Sequence, residues 1–358
     1  MKTTQFLFAA AVLFQATVGV RAAQLQVAPL TSFGGGDGWL APGEGGYTFL
    51  GTASTERGLA YGNNQLYLVS RVGNATNVRR LSPITGADLG GLNVSGISGG
   101  TFAVNMVAVS QDGAIYVGNL ATAAGAHFKV YRWANDAAAP TVAYDAAPGL
   151  PRLGDSFALI GSGASTRIAV SGTGTPGFLV VDPTTGTGTP VSVAGTQAGN
   201  FRLGLTWVDG DTVIGSHGGE NPTPFRVVDI AGSTGTLVAS PIGTSGGERP
   251  IGYAVIAGIP LFASVDSVSS AVRIYDASNP GALALLAEVK NTSGALAENG
   301  FGVGSVAWGP VLGDSAFLYA LSANQGVQAY IVTIPEPGTL GLMLLGGGLL
   351  LAARRRAS

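Results

Sequence analysis

A strand pattern that returns about every 48 residues constrains this chain more than any other feature. Two or three apolar or β-branched residues, often followed by an Asp or another polar residue, run into a Gly/Thr/Ser/Pro turn. The copies are Val78–Pro83, Phe128–Arg132, Phe178–Pro183, Phe225–Asp229, Val272–Asp276 and Val327–Ile331. Aligned on Leu81, Tyr131, Val181, Val228, Tyr275 and Tyr330, they lie 50, 50, 47, 47 and 55 residues apart. A short apolar strand precedes each copy: 58–62, 105–109, 156–160, 204–208, 252–256 and 304–308. Asn63-Asn64, Asp112-Gly113 and Asp209-Gly210-Asp211 punctuate the way to the next strand, and such residues suit tight hairpins.

Each unit therefore holds at least three antiparallel strands and a weaker fourth, such as Thr141–Tyr144 or Leu283–Ala287. One such sheet buries too little apolar surface alone, and packing against neighbours in a ring supplies the rest. The expectation is an all-β propeller of about six four-stranded blades. The last unit runs out at Ile334 after three strands, so Leu25–Leu30 is expected to supply its missing outer strand and close the ring. The rivals are a seventh blade seeded by Thr48–Ala53 and an open β-sandwich.

Composition removes several functions. With no cysteine, the chain has no disulfide framework, thiol nucleophile or thiolate metal site. A formal net charge of −2 and no basic patch give nucleic acid nothing to bind. Gly, 57 of 358 residues, favours turn-rich β structure.

Both ends read as export signals. Lys2, an apolar run from Phe6 to Val20 and Val20-Arg21-Ala22 make a cleavable signal peptide over residues 1–22. At the other end, Pro335-Glu336-Pro337 breaks any regular element. An uncharged segment from Leu340 to Ala353 follows, and then Arg354, Arg355 and Arg356. Gly338 to Ala353 is 16 residues, short for a span that usually needs roughly 20, with snorkelling arginines and bilayer thinning to make up the difference. The arginines belong on the cytoplasmic side, which leaves the body outside the inner membrane.

The order Pro-Glu-Pro, short apolar helix, arginine cluster resembles the PEP-CTERM sorting signal of Gram-negative bacteria. That resemblance implies exosortase as a partner, with Pro335, Glu336 and Pro337 as the recognition motif and residues 335–358 as a sorting and anchor segment. It also implies a link to exopolysaccharide and biofilm. The body over residues 23–334, through its Gly58-Leu59-Ala60-Tyr61 … Leu66-Tyr67-Leu68-Val69-Ser70-Arg71 opening, weakly resembles exported bacterial propeller-like domains of no assigned activity.

No catalytic constellation or cofactor motif is legible. His127 reads as a strand-edge residue, whereas His217, Glu220 and Asn221 share a polar Gly-rich loop and form the one candidate loop site. Asp182, Asp229 and Asp276 recur at one repeat position, where Asx-turns are expected and a calcium-binding ring is the sharper alternative. Arg57, Arg71, Arg79 and Arg80 form a modest basic cluster able to face sugar acids, or simply a solvated blade edge. The leading expectation is a non-enzymatic surface or matrix protein that binds polysaccharide or another surface protein. The alternatives are a hydrolase or lyase acting on a polysaccharide or lactone from the central face, and a structural surface-layer component.

Overall fold

In a computed structural model, residues 25–335 are described, apart from 175 and 218. The expected signal peptide and the tail beyond Pro335 lie outside them. Among the described residues no helix is long and apolar enough to cross a membrane.

The architecture is all-β and propeller-like. Unit one is the meander Glu56–Gly62, Gln65–Ser70, Asn77–Leu81 and Asp88–Gly91. Units two and five, over Phe102–Ala146 and Glu248–Val289, are four-stranded meanders of the same kind. Units three and four, Ser156–Val193 and Gly204–Ala239, share one eight-stranded sheet. Their outer strands meet in a short parallel pairing, Ser192 with Thr234 and Val193 with Gly235. A Cβ at Gly235 would come 2.7 Å from Val193 Cγ2, so glycine permits the approach.

Unit six has three strands of its own, Gly304–Leu312, Ser315–Ser322 and Gly326–Thr333. Its outer strand is Gln26–Pro29, antiparallel to Gly326–Thr333 in the register Gln26 to Thr333 and Pro29 to Tyr330. The closing strand thus comes from the segment that the incomplete last repeat singled out. Residues 48–53 form turn and bend, and they start no further sheet.

Packing explains why the strands read as apolar runs rather than alternating ones. Among the described residues six buried clusters occur, each between neighbouring units. Between units one and two, for example, Tyr67, Val69 and Val78 meet Ile115, Val117 and Trp133. Interior sheets are covered on both faces, so Ile115–Leu120 is buried at every position. Trp133 is fully buried and its indole N–H donates to Asn93 O at 2.7 Å; truncation to Ala would cost about 3–5 kcal/mol. The hairpin expected at Asn63-Asn64 has both residues at positive φ, 51° and 55°, as a two-residue turn of right-handed twist requires.

Candidate functional site

The first strand of every unit lies innermost, and these six strands neighbour one another in cyclic order. They enclose a central cavity of about 340 Å³. Apolar side chains including Leu59, Met106, Phe157, Leu205, Ile251 and Val306 line it together with exposed polar groups. Hydroxyls and an indole bridge adjacent units: Ser305 Oγ accepts from Leu59 N at 3.0 Å, Thr206 Oγ1 accepts from Tyr253 N at 3.1 Å, and Trp207 Nε1 donates to Ala158 O at 3.1 Å. Tyr61, Trp207, Tyr253 and Trp308 gather at the C-terminal ends of the inner strands.

At the opposite, N-terminal ends of the inner strands, arginines gather beyond the cavity lining and form an arginine mouth. Units one and five open on related sequences, Glu56-Arg57-Gly58-Leu59-Ala60-Tyr61 and Glu248-Arg249-Pro250-Ile251-Gly252-Tyr253. Each carries a β-bulge at the same place. Glu56 to Leu59 advances three residues against the two from Ser70 to Leu68, and Glu248 to Ile251 does so against Asp266 to Ser264. An extra residue re-aims the side chains around it. Here each glutamate is fully buried while the arginine beside it stays half-exposed. Arg71 follows the second strand of unit one, and Arg152 and Arg202 stand in the loops entering units three and four.

One carboxylate holds two of these arginines directly. Asp155, whose side chain is 2% exposed, accepts from Arg152 Nε at 2.5 Å, Arg152 Nη2 at 2.8 Å and Arg202 Nε at 3.1 Å. Arg71, 5% exposed, donates to Asn105 Oδ1 at 2.9 Å and lies 3.7 Å over the Phe102 ring. Arg57 lies 5.3 Å over the Phe301 ring. Among the described residues Arg57, Arg71 and Arg249 have no carboxylate partner, and their Nε–H groups are buried without an acceptor.

The electrostatics follow from this crowding. Burial, and then repulsion from Arg57 and Arg152, pulls the Arg71 guanidinium well below its usual pKa, against the attraction of Asp155 and Glu56. Burial also lowers Arg57, against the attraction of Asp155 and with repulsion from Arg152 and Arg202, and lowers Arg249, against the attraction of Asp266 and with repulsion from Arg202. Glu56 is pushed up by burial, and its Oε2 has no hydrogen-bond partner. Its counterpart Glu248 is satisfied by Ser245 N at 3.0 Å, the Tyr275 hydroxyl at 2.6 Å and the Ser264 hydroxyl at 2.5 Å, among others. Arginine outnumbers carboxylate here: five guanidiniums face Asp155 and Glu56, with Asp266 acting on Arg249, on a chain whose formal net charge is −2. Such a mouth suits an anion.

The residues singled out from sequence are distributed differently. The basic cluster of unit one divides. Arg57 and Arg71 join the mouth, whereas Arg79 pairs with Asp88 and Arg80 approaches Asp136 at 3.7 Å on the third strand. Arg152, Arg202 and Arg249 come from other units and escape a reading by local sequence. The repeated Glu-Arg before an inner strand was the available signal.

His217 follows the second strand of unit four, half-buried, with Gly199 against its ring. Glu220 is held by Arg226 Nη2 at 2.9 and 3.1 Å, and Asn221 is exposed. His127 is exposed and bonded through Nδ1 to Asp145 Oδ1 at 2.5 Å. Asp182 and Asp276 cap turns as expected, accepting from Thr184 N and Ser278 N at 2.8 Å. Asp229 instead accepts from the Thr212 hydroxyl at 3.1 Å. Among the described residues no three His, Cys, Asp or Glu side chains stand together as a metal site.

Comparison with known proteins agrees with the fold and the tail. Residues 46–162 match DUF4623, a domain of unknown function, and residues 333–357 match the PEP-CTERM protein-sorting motif. No curated protein matches the chain. A DUF4623 family protein from Bacteroides eggerthii superposes with a TM-score of 0.63 at 16% identity, covering 80% of this chain and 72% of that one. An auxiliary nutrient binding protein from Bacteroides ovatus gives 0.51 at 13% identity over 83% and 72%. A gluconolactonase from Xanthomonas campestris gives 0.50 at 14% identity over 88% and 92%. At these identities the likeness concerns fold alone. The chain therefore carries a PEP-CTERM protein-sorting motif, the signal of an exported exosortase substrate, behind a propeller-like body that matches DUF4623 over residues 46–162.

Proposed function

We propose that this is a non-enzymatic surface or matrix protein whose six units act as a binding propeller for an anionic extracellular polysaccharide. The observation that carries the reading is the arginine mouth, where three buried Nε–H groups lack acceptors and positive charge exceeds negative. An anion at the exposed edge of these side chains adds the negative charge that offsets their burial and their mutual repulsion. In this reading residues 1–22 are removed, 23–334 form the binding body, and Pro335, Glu336 and Pro337 present residues 335–358 to exosortase. Arg354, Arg355 and Arg356 hold the tail in the inner membrane during sorting, with the body periplasmic and then at the surface, and the biofilm matrix supplies the ligand.

Binding of the producer's own matrix polysaccharide, weakening steeply with salt, supports the reading; no binding at low salt refutes it. Intact mass of the surface-recovered protein tests sorting, with a chain ending near Pro335 expected. A hydrolase or lyase acting from the central cavity is the second reading, and turnover of the bound glycan would establish it in place of simple binding.

A further inference from the structure

Around the mouth, one stretch is exposed and apolar where its neighbours are charged. Phe301 sits in the loop entering unit six and is 57% exposed. Its loop is fixed from within: Asn299, 3% exposed, accepts from Gly302 N at 3.0 Å through its carbonyl and donates through Nδ2 to Val303 O at 2.9 Å and Ser322 Oγ at 3.0 Å. Exposure of the ring is therefore held by the turn. Arg57 lies over this ring from unit one. Arg249 lies on the adjoining side from unit five, so close to Gly302 that a Cβ there would stand 2.1 Å from its Nη1. Gly302 has φ +64°, and glycine serves both the turn and the approach. Two guanidiniums without carboxylate partners thus meet at this turn, Arg57 over the Phe301 ring and Arg249 against the next residue, Gly302.

That combination fits a particular chemistry. The C–H face of a pyranose stacks on an aromatic ring, and a planar carboxylate matches the fork of a guanidinium. A hexuronate residue carries both on one ring. The phenyl ring and both arginines sit on bulged or turn backbone fixed by buried hydrogen bonds, so little ordering is needed on binding.

We propose that Arg57, Phe301 and Arg249 form a subsite for a hexuronate residue of an acidic glycan, with the sugar on the exposed part of the Phe301 ring and its carboxylate held by the flanking guanidiniums. This rests on the reading of the mouth as an anion-binding site and names its ligand class.

The test is calorimetric titration of the mature protein with tetragalacturonate, its carboxyl-reduced counterpart and inorganic sulfate. Tetragalacturonate is expected to bind, and the reduced tetrasaccharide at least about tenfold more weakly. Phe301→Ala is expected to weaken tetragalacturonate about tenfold while leaving sulfate unchanged. Arg57→Gln and Arg249→Gln are expected to weaken both anions. Phe301 is exposed, so its truncation leaves the fold intact, as a melting curve will verify. If Phe301→Ala binds tetragalacturonate as well as the wild type, or the reduced glycan binds equally, the subsite is refuted although the mouth remains an anion site. If neither anion binds, both readings fall together.

Discussion

Asp155 is the counter-ion on which the arginine mouth depends, and Asp155→Asn isolates its charge with little change of shape. Its carboxylate is 2% exposed and holds Arg152 and Arg202 by three hydrogen bonds. Breaking a buried pair from one side costs about 3–5 kcal/mol. Two unit charges about 4 Å apart at an effective dielectric constant near 20 give about 4 kcal/mol, in accord with that range. Both arginine side chains are about one-quarter exposed, 27% and 24%, so solvent screening sets the expected loss near the lower end, about 3 kcal/mol. For a body of about 310 residues unfolding with about 2.1 cal/mol/K per residue, that is a fall in Tm of about 5 °C. The loss should shrink toward 1 M salt, where the Debye length is about 3 Å. Removing a negative charge also raises the positive surplus, so the variant is expected to bind an acidic glycan more tightly although it is less stable. Urea melts at 0.05 and 1 M NaCl with parallel titrations read both effects. A loss below about 1 kcal/mol or weaker glycan binding would refute the electrostatic account.

Three further outcomes follow from named contacts. Burial holds the folded pKa of Glu56 above its unfolded value, so stability present below the unfolded pKa is lost as pH rises through the folded one. Glu56→Gln lacks this loss; urea melts should show it equal to or more stable than wild type at pH 7, with the advantage shrinking toward pH 4, and an advantage that grows on acidification contradicts the assignment. Deleting residues 25–30 removes the closing strand together with buried Leu25 and Leu30, an expected loss of about 5–10 kcal/mol with concentration-dependent association through the opened edge in sedimentation. Gly302→Val forces Arg249 aside and strains a positive φ; about 1–2 kcal/mol of stability and about tenfold in acidic-glycan affinity should be lost, and unchanged affinity would remove Arg249 from the subsite.

The repeat was legible because second strands such as Gln65–Ser70 and Ile115–Leu120 are buried on both faces and read as apolar runs, while third strands such as Asn77–Leu81 recur at one spacing before a turn. Its missing outer strand was legible from arithmetic on the last unit, and Gln26–Pro29 fills that place. The site was not. Arg57, Arg71, Arg152, Arg202 and Arg249 are scattered over four units and meet only because a ring brings the starts of its inner strands together. The bulges at Arg57 and Arg249 leave no mark on a hydrophobic pattern. Proximity in sequence misled in the other direction: Arg79 and Arg80 lie near Arg71 in the chain, yet they turn to Asp88 and Asp136. His217, Glu220 and Asn221 drew notice as a polar loop, but Glu220 is engaged by Arg226.

The most direct test of the account is the salt dependence of binding between the purified protein and polygalacturonate, for wild type and for the Arg57→Gln, Arg249→Gln pair. Each guanidinium paired with the polyanion adds roughly one unit to the slope of log affinity against log salt. The account predicts a steep slope for wild type and a slope shallower by roughly two for the double variant. An unchanged slope would place the bound polymer elsewhere and contradict the assignment of the arginine mouth.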